Sequence, residues 1–319
     1  MLKALAITGP TASGKTALSL AVSERLGCEI ISCDSMQIYR EMNIGTAKAT
    51  EKERSRAPHH MIDVVSPTEN YSAESYRKAA LECARDIAKR GKTPLFVGGT
   101  GLYIDTVIRG GAASSPESDP EYREKILDRI KSEEDKIALW QRLDAVDRET
   151  AEKVHYNNVK RVIRALEIYD KTGKPKSLFD KESKTLSSDV SVGMITLDFH
   201  DRENLYSRID KRVDLMMEEG LFDEVSSLYK KGLLVDGTTA AQAIGYKEIL
   251  SHIRGEITLS EAIEEIKLAS RRYAKRQLTW FRHKEAHRVF LDTENGMRSF
   301  DAVLCDVISY ADGFIKNTF

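Results

Sequence analysis

The sequence lacks a strong net charge, paired cysteines and long apolar runs, and each absence excludes a class of protein. The formal net charge is −1, so no global electrostatic field attracts nucleic acid and any basic surface has to be local. The four cysteines include no Cys-x-x-Cys pair, which argues against a disulfide framework and favours a reducing, cytoplasmic location. No stretch approaches about 18 apolar residues, so no membrane span is predicted.

Short apolar runs alternate with helical patterns in the first hundred residues, which predicts an α/β fold. The chain has 319 residues, of which 41% are hydrophobic, enough for a substantial core. Strands alternating with helices indicate a parallel sheet with helices on both faces. The predicted strands are Leu2–Thr8, Glu29–Cys33, 59–65 and Thr93–Gly99, and the predicted helices are 15–26, ending before Gly27, and 72–91 with Ser72 as N-cap.

A charged helical block interrupts this alternation. Residues 110–120 read as a linker, and 117–184 are highly charged, of mixed sign and helical in pattern. A further strand is predicted at Ser191–Phe199, after the block. A helical block between two parts of one sheet is typical of an insertion. We therefore predict an α/β core from 1–112 and 189–319 and an inserted helical domain from 113–188.

The segment Gly9-x-x-x-x-Gly14-Lys15-Thr16 is a complete P-loop pattern. It predicts a P-loop NTPase-like sheet with a phosphate site between the first strand and the first helix. Its backbone N–H groups and the helix dipole attract phosphate oxygens. Lys15 adds a positive charge, and the Thr16 hydroxyl can bind Mg²⁺. The predicted phosphate-binding residues are Gly9, Pro10, Thr11, Ala12, Ser13, Gly14, Lys15 and Thr16.

The sequence lacks the acid that usually accompanies a P-loop in ATP-hydrolysing enzymes. The best candidate strand runs into "LFVGGTGLY", Leu95 to Tyr103, without an acidic residue. Asp63 is the remaining substitute. The loop is therefore predicted to bind a phosphate chain, and that phosphate can belong to the substrate that reacts.

Polar residues follow the second and fourth predicted strands, where parallel strands place ligand-binding residues. Asp34 either accepts a proton or binds Mg²⁺ through water, or else Asp34 or Ser35 caps a helix. Thr100 either faces the same crevice or belongs to a plain glycine turn. The polar segment Met42–Lys48 is either a binding loop or a connector.

Two local clusters of basic residues suit RNA. Lys160, Arg161 and Arg164 share one side of a predicted helix. Lys267–Arg288 carries eight Lys/Arg against one Glu and reads as a helix with interleaved aromatic residues. The alternative is an amphipathic helix with solvated charges, but two clusters beside a phosphate loop favour RNA.

Taken in order, these motifs resemble those of the tRNA dimethylallyltransferases over essentially the whole chain. They are "GPTASGKT", "DSMQIYREMNIGTAK", "VGGTGLY", "DPEYR", "KRVIR", "AIGYKE" and "RRYAKRQLTWFR". The resemblance implies transfer of a five-carbon prenyl group from dimethylallyl diphosphate to the exocyclic amine of the adenine immediately 3′ of the anticodon. The implied partner is the anticodon stem-loop of tRNAs reading codons that begin with U. The expected state is a monomer, because one chain has every part needed.

The resemblance also assigns roles to residues. It implies that Asp34 is the catalytic base and that Lys15, Thr16, Thr100 and Arg208 also have catalytic roles. Arg208 is expected to bind the diphosphate together with the phosphate loop. Mg²⁺ is expected to bind through Thr16. Arg212, one turn from Arg208, is close enough to take its place, and both can instead pair with acids on a charged surface. The implied tRNA contacts are Asp34, Ser35, Met36, Gln37, Thr100, Arg123, Lys160, Arg161, Val162, Ile163 and Arg164.

One position departs from the family pattern, and two rival functions remain. Lys160 stands where the family has glutamine, so a phosphate contact is easier to expect there than a contact to base or sugar. A small-molecule or nucleoside kinase would use the same loop to bind ATP, but leaves the basic helices unexplained. A non-catalytic RNA-binding module would use the loop as a nucleotide switch and leave the RNA unchanged.

Overall fold

A computed structural model describes residues 1–108, 119–185 and 190–316. These residues form two compact units, one from 1–108 with 190–316 and one from 119–185. Residues 110–118 of the predicted linker and both predicted domain boundaries, at 112/113 and 188/189, lie outside the described residues. The last two residues of the predicted linker are described, and Pro120 already begins a helix. Within the described part of the chain, no helix combines the length and apolar character needed to cross a bilayer.

A six-stranded parallel sheet forms the centre of the first unit. Its spatial order is β3-β2-β4-β1-β5-β6. A separate antiparallel pair, β7 with β8, follows the sheet in the chain. The predicted α/β class and parallel sheet are thus confirmed. The strands are β1 Leu2–Thr8, β2 Cys28–Ser32, β3 His59–His60, β4 Thr93–Gly98, β5 Val190–Asp198, β6 His287–Phe290, β7 Asp292–Thr293 and β8 Gly296–Met297.

Helices cover the sheet and build all of the second unit's regular structure. Those of the first unit are α1 Lys15–Leu26, α2 Glu51–Arg54, α3 Ala73–Lys89, α4 Gly101–Ile108, α10 Arg202–Glu218, α11 Leu221–Lys230, α12 Tyr246–Ile253, α13 Leu259–Arg282 and α14 Phe300–Lys316. Those of the second unit are α5 Pro120–Leu127, α6 Glu133–Val146, α7 Arg148–Ala151, α8 Val159–Thr172 and α9 Lys176–Thr185. As predicted, Ser72 caps α3, accepting a hydrogen bond from the Ser75 amide at 3.0 Å.

Two predicted elements are shorter than expected. The strand predicted at 59–65 ends after His60, because Met61 and Asp63 have φ values of 60° and 57°, which an extended strand cannot contain. The basic helix predicted over Lys267–Arg288 ends at Arg282. Arg288 therefore lies on β6 and not on the helix.

Buried apolar residues on both faces of the sheet fix where the functional loops lie. Leu5 and Ile7 of β1 belong to one core cluster, and Ala4 and Ala6 to another, because successive side chains of a strand point to opposite faces. β1 lies between β4 and β5, with Thr8 in register with Gly98 and Thr196. The carboxyl ends of β1, β2 and β4 thus lie side by side at one edge.

Candidate active site

The phosphate loop after β1 adopts the tight curl that its glycines predict. A Cβ on Gly9 would approach the Leu197 carbonyl oxygen to 2.8 Å, so only glycine fits beside β5. Ala12 has φ 61° and Gly14 has φ 83°, and α1 begins directly afterwards at Lys15. The loop amides and the positive end of α1 therefore meet at one place.

Lys15 lies at this place, and its ammonium group loses its proton more easily than that of an ordinary lysine. Its Nζ donates to the Gly9 carbonyl at 3.1 Å and the Pro10 carbonyl at 2.6 Å. Burial, and then the Arg212 guanidinium, lower the pKa of Lys15 to about 7, while Asp34 opposes the shift. A negatively charged group bound in the loop would stabilise the charged form of Lys15.

Two hydroxyls of the loop suit a hard cation. Thr16 lines the pocket described below. Within the described residues, the Ser13 hydroxyl is buried and has no hydrogen-bond partner. Mg²⁺ prefers oxygen ligands and usually binds through one or two protein groups together with substrate phosphates and water. The loop's oxygen donors therefore fit Mg²⁺.

The two arginines one turn apart on α10 have different surroundings. Arg208 Nε donates to the Ala12 carbonyl at 2.8 Å, which braces the phosphate loop. Arg212 lines the pocket itself, and burial lowers its pKa while Asp34 and Glu219 oppose the change. The structure thus favours Arg212 as the pocket-facing arginine, where the sequence favoured Arg208.

A pocket of about 390 Å³ joins these groups to the loop after β2. Asp34, Ser35, Met36 and Gln37 line it, as the sequence predicted for a shared crevice. Its apolar wall comes from Ile209, Val213 and Met216 of α10 and Ile266 of α13. One cavity therefore offers cations, a carboxylate and a hydrocarbon surface.

Asp34 belongs to a turn and not to a helix cap. Its Oδ1 accepts a hydrogen bond from the Met36 amide at 2.9 Å, and the residues that follow form turns, so the helix-cap alternative is wrong. Thr100 Oγ1 accepts from the Ser35 amide at 3.0 Å, and the Thr100 amide donates to the Cys33 carbonyl at 3.1 Å. Thr100 thus holds the Asp34 turn from behind and is not among the residues lining the pocket.

The segment Met42–Lys48 contributes to the pocket wall and is fixed by a carboxylate. Gly45, Thr46 and Ala47 line the pocket. Glu224 accepts hydrogen bonds from three successive amides, Asn43 at 2.9 Å, Ile44 at 2.8 Å and Gly45 at 3.2 Å. The segment is therefore a pocket loop rather than a plain connector.

Asp63 is not placed to act as the missing acid of the P-loop. Its two carboxylate oxygens pair with Lys48 Nζ at 2.7 Å and Arg54 Nη1 at 2.9 Å. It does not line the pocket that contains Lys15. Asp63 is therefore not the acid that would accompany the loop in an ATPase.

The basic helix α8 divides its residues between core, ion pair and surface. Val162 and Ile163 are buried, so the interpretation of their side chains as tRNA contacts is wrong; apolar residues on an amphipathic helix pack inward. The side chains of Lys160 and Arg161 are exposed, and neither forms a hydrogen bond or ion pair with a described residue. Only these two match a free basic surface.

Arg123 and Arg164 share a buried carboxylate that the sequence did not reveal. Glu167 is fully buried, and its Oε2 accepts from Arg123 Nη2 at 2.8 Å and Arg164 Nη1 at 2.8 Å. Burial would raise the pKa of Glu167, but the arginines and the Asp119 amide outweigh it and lower the pKa. The two predicted tRNA-contacting arginines are therefore tied to the core of their own unit.

Helix α13 shows the same division. Four basic residues of the cluster pair with acids, each within 3 Å: Lys267 with Asp214, Arg271 with Asp210, Arg282 with Asp198 and Lys284 with Asp105. The side chains of Arg272 and Lys275 are exposed, and neither forms a hydrogen bond or ion pair with a described residue. Arg276 lies 5.6 Å from the ring centroid of Tyr273.

The remaining aromatic residues of this cluster also differ in environment. Phe281 is buried and Trp280 is 38% exposed. Tyr273 lines the pocket, where burial and the charge of Asp34 raise its pKa to about 12. Part of the predicted RNA-binding helix is therefore pocket wall and core.

Sequence reasoning missed several polar residues of the pocket, among them Gln277. It lies on the buried face of α13, near Ala274, Leu278 and Phe281. A lone amide among apolar residues at helical spacing was the available signal.

Comparison with known proteins agrees with this arrangement. A family model described as IPP transferase matches residues 37–284, and one described as isopentenyl transferase matches 2–64. The tRNA dimethylallyltransferase of Thermoanaerobacter sp. (strain X514) is 44% identical over 308 residues, which is 96% of each chain. The chain belongs to this family.

Solved structures support the same assignment. The tRNA isopentenylpyrophosphate transferase of Bacillus halodurans is 41% identical with a TM-score of 0.72, over 99% of this chain and 97% of that one. A eukaryotic dimethylallyltransferase, described as acting on tRNA, is 29% identical with a TM-score of 0.83, over 100% of this chain and 81% of that one. As a member of the tRNA dimethylallyltransferase family, the chain is an enzyme, a prenyltransferase of tRNA modification.

Proposed function

We propose that the protein transfers the dimethylallyl group of dimethylallyl diphosphate to the exocyclic amine of the adenine immediately 3′ of the anticodon. The substrates are tRNAs reading codons that begin with U, and diphosphate is released. The observation that carries the proposal is the single pocket that contains Lys15, Arg212, Asp34 and an apolar wall. One chain supplies all of these groups, so a monomer suffices.

The phosphate loop binds the diphosphate and stabilises it as it leaves. The loop amides and the end of α1 face its oxygens, and Lys15 and Arg212 neutralise its charge. Arg208 holds the loop in shape through the Ala12 carbonyl. Mg²⁺, held through Thr16 with the Ser13 hydroxyl nearby, would add electrostatic stabilisation of the leaving group when bound.

The apolar wall selects a hydrocarbon donor over a nucleotide. Ile209, Val213, Met216 and Ile266 line the pocket, and their surface suits a five-carbon chain because apolar contact is favourable there. ATP would place a polar ribose and a base against this wall. The kinase and nucleotide-switch alternatives therefore fit the pocket less well.

Asp34 orients the acceptor amine and accepts its proton. An aromatic amine is a poor nucleophile, so a positioned base assists attack on the prenyl carbon. The new C–N bond forms as the C–O bond to diphosphate breaks, and the amine proton passes to the Asp34 carboxylate. The adenine has to leave its stack to reach the pocket, as in base-flipping enzymes.

Basic surfaces of both units bind the anticodon stem-loop. Lys160 and Arg161 of α8 and Arg272, Lys275 and Arg276 of α13 present exposed cations that suit a phosphate backbone. Arg123 and Arg164, anchored by Glu167, keep partial exposure, so one edge of each guanidinium can reach RNA.

The test is incubation with Mg²⁺, dimethylallyl diphosphate and an unmodified tRNA that reads codons beginning with U. Mass spectrometry of the digested RNA should show one prenylated adenosine. The same tRNA with guanosine at the target position is the matched control and should gain nothing. Transfer of a phosphate group from ATP to a small molecule or nucleoside without prenylation, or binding of the RNA without modification, would contradict the proposal and support one of its rivals.

A further inference from the structure

Gln277 connects two loops that belong to different halves of the active site. Its side-chain Oε1 accepts a hydrogen bond from the Thr11 amide of the phosphate loop at 2.9 Å. Its Nε2 donates to the Gly99 carbonyl, after β4, at 3.0 Å. The residue is 5% exposed. A buried amide with both ends satisfied has one orientation, because reversing it would face donor to donor and acceptor to acceptor.

The Gln277 side chain bridges the two loops, and at Gly99 it packs too closely to leave room for any other side chain. A Cβ on Gly99 would overlap Gln277 Nε2, so glycine is required for the approach. The bridge is anchored from its own helix by buried Ala274, Leu278 and Phe281. Helix α13 therefore holds the phosphate loop and the Gly99 loop at a fixed separation.

The Gly99 end of the bridge continues to Asp34. The next residue, Thr100, accepts from the Ser35 amide at 3.0 Å and donates its own amide to the Cys33 carbonyl at 3.1 Å. Cys33 and Ser35 are the chain neighbours of Asp34. An unbroken path of hydrogen bonds and short backbone segments thus runs from the donor loop through Gln277 to the base.

We propose that Gln277 is a positioning residue that sets the distance between the diphosphate-binding loop and the Asp34 turn. The inference rests on the proposed prenyl transfer, in which the leaving group occupies the first loop and the acceptor amine faces the second. Transfer needs both reactants aligned, and small displacements of either loop lower the rate steeply. Gln277 does this without contacting the reacting atoms.

The test compares Gln277→Met with Gln141→Met, an exposed glutamine on α6 of the other unit. Methionine has a similar length and fills the space, but it makes neither hydrogen bond. Each lost bond is a modest effect, so we expect kcat to fall and the KM for dimethylallyl diphosphate to rise, each by roughly tenfold. The Kd for tRNA, measured by filter binding, should stay within about twofold. Gln141→Met should change none of the three.

A second variant and a double-mutant cycle separate positioning from space filling. Gln277→Glu keeps the shape and the acceptor for Thr11 but removes the donor to Gly99, so its kcat should fall even if the methionine variant folds poorly. Thr100→Val weakens the same path at its next step, because it removes the hydrogen bond from the Ser35 amide and keeps the one to the Cys33 carbonyl. If the two residues act along one path, the fold loss of kcat in the Gln277→Met, Thr100→Val double variant should be well below the product of the fold losses in the two single variants.

Two results would overturn the proposal. One is a folded Gln277→Met or Gln277→Glu variant with wild-type kinetic constants and only a lowered Tm, which would show that the side chain merely packs. The other is a double variant whose losses multiply, which would show that Gln277 and Thr100 act independently. Absence of prenylation by the wild-type chain would instead refute the proposed function, so the two failures are distinguishable.

Discussion

The cations in the pocket and the cations on the two basic helices meet very different conditions. Lys15 and Arg212 lie in the pocket with lowered pKa values, close to each other and to Asp34. On α8 and α13 the exposed cations Lys160, Arg161, Arg272 and Lys275 have no such burial. The pocket cations are held by the protein at an electrostatic cost, whereas the surface cations cost little and act mainly through long-range attraction.

This difference separates two kinds of anion recognition in one chain. A buried cation gains strongly from a phosphate placed against it, because little water screens the pair. An exposed cation that neutralises a phosphate releases a counterion condensed on the RNA, so its contribution depends on salt. Pocket variants should therefore change catalysis and donor binding, and surface variants should change the salt dependence of tRNA binding.

The largest effect should come from Asp34→Asn. The amide keeps the shape of the side chain but cannot accept the proton of the acceptor amine, so kcat should fall by roughly 10²–10⁴-fold. The Kd for tRNA should change little. Single-turnover prenylation and filter binding on the same preparation measure both quantities, and undiminished turnover would show that Asp34 only shapes the turn.

Arg212→Gln and Arg208→Gln should sharpen the assignment of the two arginines. Loss of a buried charge-assisted contact should raise the KM for dimethylallyl diphosphate by roughly tenfold to a hundredfold for Arg212. Arg208→Gln should lower the Tm more, because it releases the Ala12 carbonyl. If Arg208→Gln instead raised the KM for dimethylallyl diphosphate more than Arg212→Gln and left the Tm unchanged, Arg208 would be the main diphosphate ligand.

Donor binding should take up a proton above neutral pH. In the empty protein the pKa of Lys15 is about 7, so at pH 8 Lys15 is mostly neutral and at pH 6 mostly charged. Diphosphate favours the charged form, so binding at pH 8 draws a proton onto Lys15, and affinity falls as pH rises from 6 to 8.

Calorimetry in buffers of different ionisation enthalpy measures this uptake. Lys15→Met should abolish the uptake and serves as the control. A donor affinity independent of pH, with no buffer dependence of the binding enthalpy, would contradict the lowered pKa.

The exposed face of α13 should contribute to the salt dependence of tRNA binding. Replacing Arg272, Lys275 and Arg276 by Gln should lower the slope of log Kobs against log salt by about two to three units, since each phosphate contact adds roughly 0.7–0.9. The matched control replaces three exposed cations elsewhere, Lys78, Arg85 and Lys230. Equal slopes in the two variants would show that only net charge matters.

The smallest effect should come from Lys160→Gln, which restores the residue typical of the family. If Lys160 contacts a phosphate, the salt slope should fall by about one unit and kcat should stay unchanged. A gain in tRNA affinity that is independent of salt would instead indicate a hydrogen bond to base or sugar.

The sequence predicted the parts of the site that depend on local pattern. The phosphate loop depends on glycines at fixed offsets, and β1, α1 and β4 depend on apolar periodicity and end signals, so all were found close to their observed bounds. Asp34 was found because the carboxyl end of a parallel strand is a position that topology alone identifies.

The sequence could not predict contacts that only tertiary packing creates. Arg208 and Arg212 lie one turn apart with the same chemistry, and only the packing of α10 on the phosphate loop distinguishes them. Cations that pair with distant acids, such as Arg271 with Asp210, look the same in sequence as the exposed Arg272. Val162 and Ile163 were counted as tRNA contacts because the matching family motif spans Lys160–Arg164, although their apolar character directs them inward.

The carboxylate of Glu224 occupies a backbone nest that, in many proteins, would be left for a ligand. It accepts three successive amides of the 43–45 segment and the Tyr246 hydroxyl at 2.6 Å, and Gly45 leaves no room for a side chain against the Tyr246 ring. This side of the cavity is thus assembled before any substrate arrives. This wall can therefore serve as the fixed reference against which any movement of the other pocket residues during turnover is measured.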